Sequence, residues 1–137
     1  MPSTEKIHVL AIDPGRDKIG LAVLSARGDI EEKLVVFRGE FEHALRRTIG
    51  EYSIDRIVIG GGTGSDWVKE QLERHGVESV IEVGEEGTTL EARELAWKEN
   101  PPSGLWKLLP KLFWPTPRDM DAWAAVVIGR RAIGEGM

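Results

Sequence analysis

At 137 residues the chain has the length of one domain, since single cores usually occupy about 100 to 200 residues, and 1–137 is read as one unit. With no cysteine there can be no disulfide framework, thiol nucleophile, zinc-thiolate site or iron–sulfur cluster, and the composition suits a reducing, cytoplasmic compartment. A formal charge of −5, from 18 basic and 23 acidic residues, argues against a protein that coats nucleic acid by bulk charge, because phosphate binding is driven largely by counterion release.

Met1–Lys6 is polar, shows no signal-peptide pattern, and leads into Ile7–Ile12 (IHVLAI), a short apolar run ended by Asp13-Pro14-Gly15. Ile19–Ser25 and Ile30–Phe37 are two more such runs, parted by Arg27-Gly28-Asp29. Short apolar runs between glycine turns predict strands joined as hairpins. Phe41, Leu45, Ile49 and Tyr52 recur at helical spacing, and Arg56–Gly60 is apolar without alternation, as a strand covered on both faces requires. Gly60–Ser65 (GGGTGS) then breaks the chain. Trp67, Val68, Gln71, Leu72 and His75 share one face of a predicted helix, and Val77–Val83 (VESVIEV) predicts a fifth strand.

Thr88-Thr89-Leu90-Glu91 fits a capping box, which starts a helix near Thr89 that Asn100-Pro101-Pro102 ends. Pro101–Pro115 reads as a loop with a turn of helix at Leu105–Leu109. Thr116 at the N-cap, Pro117 at the first helical position and Asp119 at the third predict a last helix, with Met120, Trp123, Ala124, Val127 and Ile128 on its buried stripe. No apolar run approaches the ~20 residues of a membrane span, which argues against a membrane partner. The order β-β-β-α-β-α-β-α-α predicts an α/β fold of the ribonuclease H-like plan, a mixed five-stranded sheet flanked by helices.

The acidic residues are distributed in a way that points to chemistry. Asp13 ends the predicted central strand at a sharp turn, the edge at which open α/β sheets bind ligands, although Asp before Pro also simply caps turns. Glu85 and Glu86 follow the fifth strand, where they also read as an exposed acidic loop suited to the positive end of the next helix. Asp121 lies about 20° around the last helix from Ile128, at the border of its buried stripe, where a carboxylate is costly without a partner. Three acids converging at one sheet edge repel, and a divalent cation bound through oxygen relieves the repulsion. Magnesium or manganese is the natural candidate, and a pair of such ions supports phosphodiester hydrolysis without histidine or cysteine. His8, His43 and His75 read as strand, helix-surface and helix-end residues and are not spaced as a metal pair.

These residues carry a family resemblance. Asp13-Pro14-Gly15-Arg16-Asp17-Lys18-Ile19-Gly20 resembles the opening Asp-x-Gly-x-x-x-Ile-Gly signature of the YqgF/RuvX family, relatives of the RuvC Holliday-junction resolvases described as pre-16S rRNA nucleases. Ile57–Gly60 leading into a glycine loop is similar to the family's next block. Glu85-Glu86-Gly87-Thr88-Thr89-Leu90-Glu91-Ala92 is similar to its Asp-Glu-Arg-x-Thr-Thr-x-x-Ala, and Asp121-Ala122-Trp123-Ala124-Ala125 to its Asp-x-x-Ala-Ala. The blocks keep the family's order over nearly the whole chain. The resemblance implies an RNase H-like fold with Asp13, Glu85 and Asp121 as catalytic, metal-binding acids. Gly84 stands where the family has Asp and Glu86 where it commonly has Arg, which removes one acid and turns a phosphate-binding cation into an anion.

Arg93–Arg118 carries five basic residues against two acidic ones, +3, leaving −8 on the rest of the chain. Within it Trp97, Trp106, Phe113 and Trp114 interleave with Lys98, Lys107 and Lys111, a chemistry that stacks on bases and neutralises phosphate, although packing of a long loop onto the sheet or a homodimer contact is the simpler explanation. The Gly60–Ser65 loop is either a phosphate cradle or a flexible turn and lacks the Lys-Ser/Thr pair of a Walker A motif. The leading expectation is a nuclease for structured RNA or branched DNA, with Lys18, Lys107, Lys111 and Trp106 as substrate contacts. Its rival is a noncatalytic nucleic-acid- or ribosome-binding module of the same fold, motivated by Gly84 and Glu86. An actin-like phosphotransferase shares the Asp-x-Gly turn but needs two lobes.

Overall fold

The computed structural model describes residues 7–135, so Met1–Lys6 and the reading that it is not a signal peptide lie outside the described residues. Strands β1 (Ile7–Asp13), β2 (Lys18–Ser25) and β3 (Ile30–Phe37) form an antiparallel meander. Helix α1 (Phe41–Glu51) returns the chain to β4 (Ser53–Gly60), parallel to β1, and α2 (Ser65–Arg74) carries it to β5 (Ile81–Val83), parallel to β4. Helices α3 (Thr88–Glu99) and α4 (Met120–Gly134) follow, separated by two short 3-10 turns, Gly104–Leu108 and Lys111–Phe113. The sheet order β3-β2-β1-β4-β5 makes β1 central, and the mixed five-stranded sheet with flanking helices is the predicted RNase H-like plan.

Alternation along β1 sorts its side chains between two layers. Leu10 and Ile12 enter a core with Ile19, Leu21 and the inner faces of α1 and α2, where Phe41, Leu45, Val68 and Leu72 are buried. Val9 and Ala11 face the opposite side, where α4 and α3 pack through Ala92, Ala125 and Ile128. Asp13 continues that second set, so the strand's period aims its carboxylate toward α4.

Three local expectations are corrected. The fifth strand begins at Ile81, not Val77, because Val77 and Val80 pack into the first core from a loop. Helix α3 has no capping box: Gly87, at φ 71°, occupies the N-cap without a side-chain bond, while Thr88 and Glu91 are taken by Arg131. Helix α4 starts at Met120 with Asp119 at its N-cap position, so Thr116 and Pro117 precede the helix. It is also buried almost all round from Ala122 to Gly129, not along one stripe, since it lies between the sheet and α3. Among the described residues no helix is long and apolar enough to cross a membrane.

Candidate active site at the end of the central strand

Two close approaches of backbone build the site. Asp13 pairs in register with Gly20 of β2, and a Cβ at Gly20 would lie 1.8 Å from the carbonyl oxygen of Asp121 and 2.3 Å from its carbonyl carbon. Only glycine lets the first turn of α4 settle onto the sheet there, bringing Asp121 beside the end of β1. On the other flank, Gly62 at φ 107° would place a Cβ 2.5 Å from both carboxylate oxygens of Glu85, so Glu85 lies over the glycine loop that follows β4. Gly64, at φ 87°, packs just as tightly on the Gly15 carbonyl, which ties that loop to the turn after Asp13.

The electrostatics report the same convergence. The Asp13 carboxyl is pushed up from 3.8 to about 7, first by burial, then by the negative charges of Asp121 and Glu85. Asp121 is half-buried and Glu85 exposed. Of the adjacent glutamates, Glu85 is the one whose charge reaches Asp13, and strand alternation puts it on the side of Val83, which faces α4. Among the described residues no three His, Asp or Glu side chains form a ready-made metal cluster. The histidines stand apart, with His8 buried edge-on to Tyr52, His43 exposed on α1 and His75 at the end of α2.

Sequence reasoning missed two supports. Arg131 of α4 donates to the Gly84 carbonyl at 3.0 Å and the Thr88 hydroxyl at 3.1 Å, and pairs with Glu91 at 2.8 Å, so one guanidinium grips both ends of the turn that carries Glu85. The second is an ion pair between Lys33 of β3 and Asp119, whose carboxylate also accepts from Trp123 Nε1 at 3.0 Å. Burial alone would raise the Asp119 carboxyl, but the Lys33 hydrogen bond and charge outweigh it and hold it below the usual range. Asp119 is thus committed to fixing the start of α4. Neither the Arg131 grip nor the Lys33–Asp119 pair leaves a local signal, because each joins residues 40 or more positions apart.

Of the expected substrate contacts, Lys18 is exposed at the start of β2, with its ammonium 5.9 Å from the Phe37 ring centroid. Lys107, Lys111 and Trp106 lie on the strap between α3 and α4. Lys111 is paired with Glu94 at 3.2 Å, and no hydrogen bond, ion pair or ring contact among the described residues links these three to the acids.

The sequence matches no protein-family model, and no curated protein is similar to it. Solved structures do share its fold. Thermus thermophilus RuvC is 15% identical over 93% of this chain and 95% of that one, with a TM-score of 0.57. T. thermophilus RuvC in complex with Holliday junction substrate is 14% identical over 94% of each chain, with a TM-score of 0.60.

Proposed function

We propose that this single-domain chain is a divalent-metal-dependent nuclease of the YqgF/RuvX kind. It hydrolyses phosphodiester bonds in structured RNA, such as precursor rRNA, or in branched DNA, in a reducing cytoplasmic setting. The observation that carries the reading is the convergence of Asp13, Asp121 and Glu85 at the C-terminal edge of the central strand, arranged by Gly20 and Gly62. The solved RuvC bound to its junction substrate supports it at the level of fold.

The donor set fits a hard cation, since it is all carboxylate oxygen and Asp13 carries a repulsion that positive charge relieves. Asp13, Glu85 and Asp121 would hold Mg²⁺ or Mn²⁺. When bound, such ions activate water and stabilise the leaving oxygen. Asp13 serves as a ligand only in its ionised form, so its raised pKa makes loading a proton-releasing step that weakens below about pH 7. Burial of Ile12 and Pro14 on either side of Asp13 limits water at that carboxylate and strengthens its interactions. Lys18, on the exposed rim, positions a phosphate of the substrate strand.

A second reading, a noncatalytic nucleic-acid- or ribosome-binding module, is favoured by Glu86 in place of a cation and by the lack of a ready-made metal cluster. One experiment separates them. The protein is incubated with precursor rRNA, a Holliday junction and single-stranded oligonucleotides, each with Mg²⁺, with Mn²⁺ and with chelator. Cleavage that needs metal and is lost in Asp13→Asn supports the nuclease. Binding without cleavage under every condition supports the module.

A further inference from the structure

We infer that the strap between α3 and α4, with the groove beside it, is a self-association surface whose partner is a second copy of this chain. Leu105 and Leu108 are each 80% exposed, Leu112 86%, Phe113 61%, Leu109 45% and Trp106 43%, all within nine consecutive residues. Together they present about four whole large side chains, roughly 700 Å² at ~150–250 Å² for a large side chain. Monomers seldom expose contiguous apolar patches above a few hundred Å², whereas a standard protein interface takes about 800 Å² from each partner.

The exposure is built in. Trp97 Nε1 donates to the Pro115 carbonyl at 3.1 Å and Trp114 Nε1 to the Leu109 carbonyl at 3.0 Å, and the two indoles meet edge to face at 5.2 Å. These contacts pin the strap to α3 with its indole donors satisfied and its leucines outward. Beside it lies a groove of about 850 Å³, floored by apolar side chains including Leu90, Leu95 and Val127. An apolar projection and an apolar hollow on one face are self-complementary. A two-fold axis lets each copy's leucines enter the other's groove.

Side-chain chemistry selects this occupant over the alternatives. Leucine offers neither a π face for stacking nor a donor for phosphate, and Glu94 already neutralises Lys111. Three of the groove's four cations are already engaged, Lys111 by Glu94, Arg131 by Glu91 and Arg130 by the Gly28 carbonyl, which leaves little free positive charge to hold an anionic bilayer. Between two copies the same internally paired rim sets little charge against its mate, so the apolar area decides the association. The inference is independent of the nuclease reading.

The test is analytical ultracentrifugation of the full chain and of Leu105→Glu/Leu108→Glu/Leu112→Glu. A dimer dissociating in the micromolar range or tighter is expected for the wild type, with at least ~100-fold weaker association in the variant and unchanged circular dichroism. Because the chain has no cysteine, Leu108→Cys and Leu90→Cys proteins can also be mixed and treated with a short bismaleimide. Crosslinking between them should far outpace crosslinking of either with Glu31→Cys on edge strand β3, and this arm decides the matter if the triple variant fails to fold. A wild type that stays monomeric at high concentration, or crosslinking no faster than the control, would overturn the inference. So would a monomer that sediments with anionic vesicles, which would assign the face to lipid.

Discussion

Replacing Asp13 by asparagine should stabilise the metal-free protein at pH 8 while abolishing the activity of the site. Burial, then Asp121, then Glu85, push this carboxyl from 3.8 to about 7, so the folded state disfavours its charged form. A group whose pKa is raised on folding contributes stability that is fully present below its unfolded value, here 3.8, and is lost as pH rises through about 7. The gap between those values corresponds to about 4 kcal/mol at 1.36 kcal/mol per pH unit. Asparagine keeps the shape and carries no charge at any pH. At pH 4 the variant should therefore melt close to the wild type, and at pH 8, in chelator, above it by on the order of 10 °C for a chain of this size. Differential scanning calorimetry from pH 4 to 8 reads both curves. A variant that melts at or below the wild type at pH 8, or two curves that fall in parallel, would refute the claim that Asp13 is buried against two other acids.

The remaining expectations test the parts of the site separately. Glu85→Gln should cost orders of magnitude in cleavage while Glu86→Gln is mild, and Glu86→Arg should tighten substrate binding in a gel-shift titration; equal losses at both positions would reassign the acid. Gly20→Ala, which forces a Cβ onto the Asp121 carbonyl, should cost about 1–3 kcal/mol in urea unfolding and lower cleavage further than that loss explains. Arg131→Met should release the Glu85 turn and raise the Mn²⁺ concentration needed for half-maximal thermal stabilisation, with partial rescue by Arg131→Lys; an unchanged metal requirement would leave Arg131 a packing residue. If the strap also touches phosphate, Lys107→Glu should flatten the salt dependence of nucleic-acid binding by about one unit of slope.

The order of elements and the position of Asp13 were legible in the sequence because both depend on local rules: short apolar runs between turns make strands, and Asp-Pro-Gly ends one. That Asp13 faces α4 became visible only in the structure, which shows that Val9 and Ala11, on the same face of β1, pack against α4. The caps were misread because a capping box is a local pattern open to a distant competitor. Thr88 and Glu91 have the right spacing, yet Arg131, 40 or more residues on, binds both side chains. Thr116-Pro117 likewise carries a start signal that lost to Asp119, which Lys33 and Trp123 hold at the start of α4. Val77 and Val80 looked like strand residues because their packing into the core follows from hydrophobicity alone, whereas pairing with β4 begins only at Val58 and Ile81. The strap was the hardest to read, since lysine interleaved with aromatics describes a nucleic-acid surface and an interface equally. What separates them is which side chains point outward, and here those are mostly leucines.

The central claim is that Asp13, Glu85 and Asp121 act together on one divalent ion or pair of ions. Its most direct measurement is Mn²⁺ binding by calorimetry, with electron paramagnetic resonance of the free ion as a check, on the wild type and on Asp13→Asn, Glu85→Gln and Asp121→Asn. The expected result is binding by the wild type that releases protons near pH 7 and is severely weakened in each of the three variants. No Mn²⁺ binding by the wild type at millimolar metal, or binding that survives all three substitutions, would contradict it.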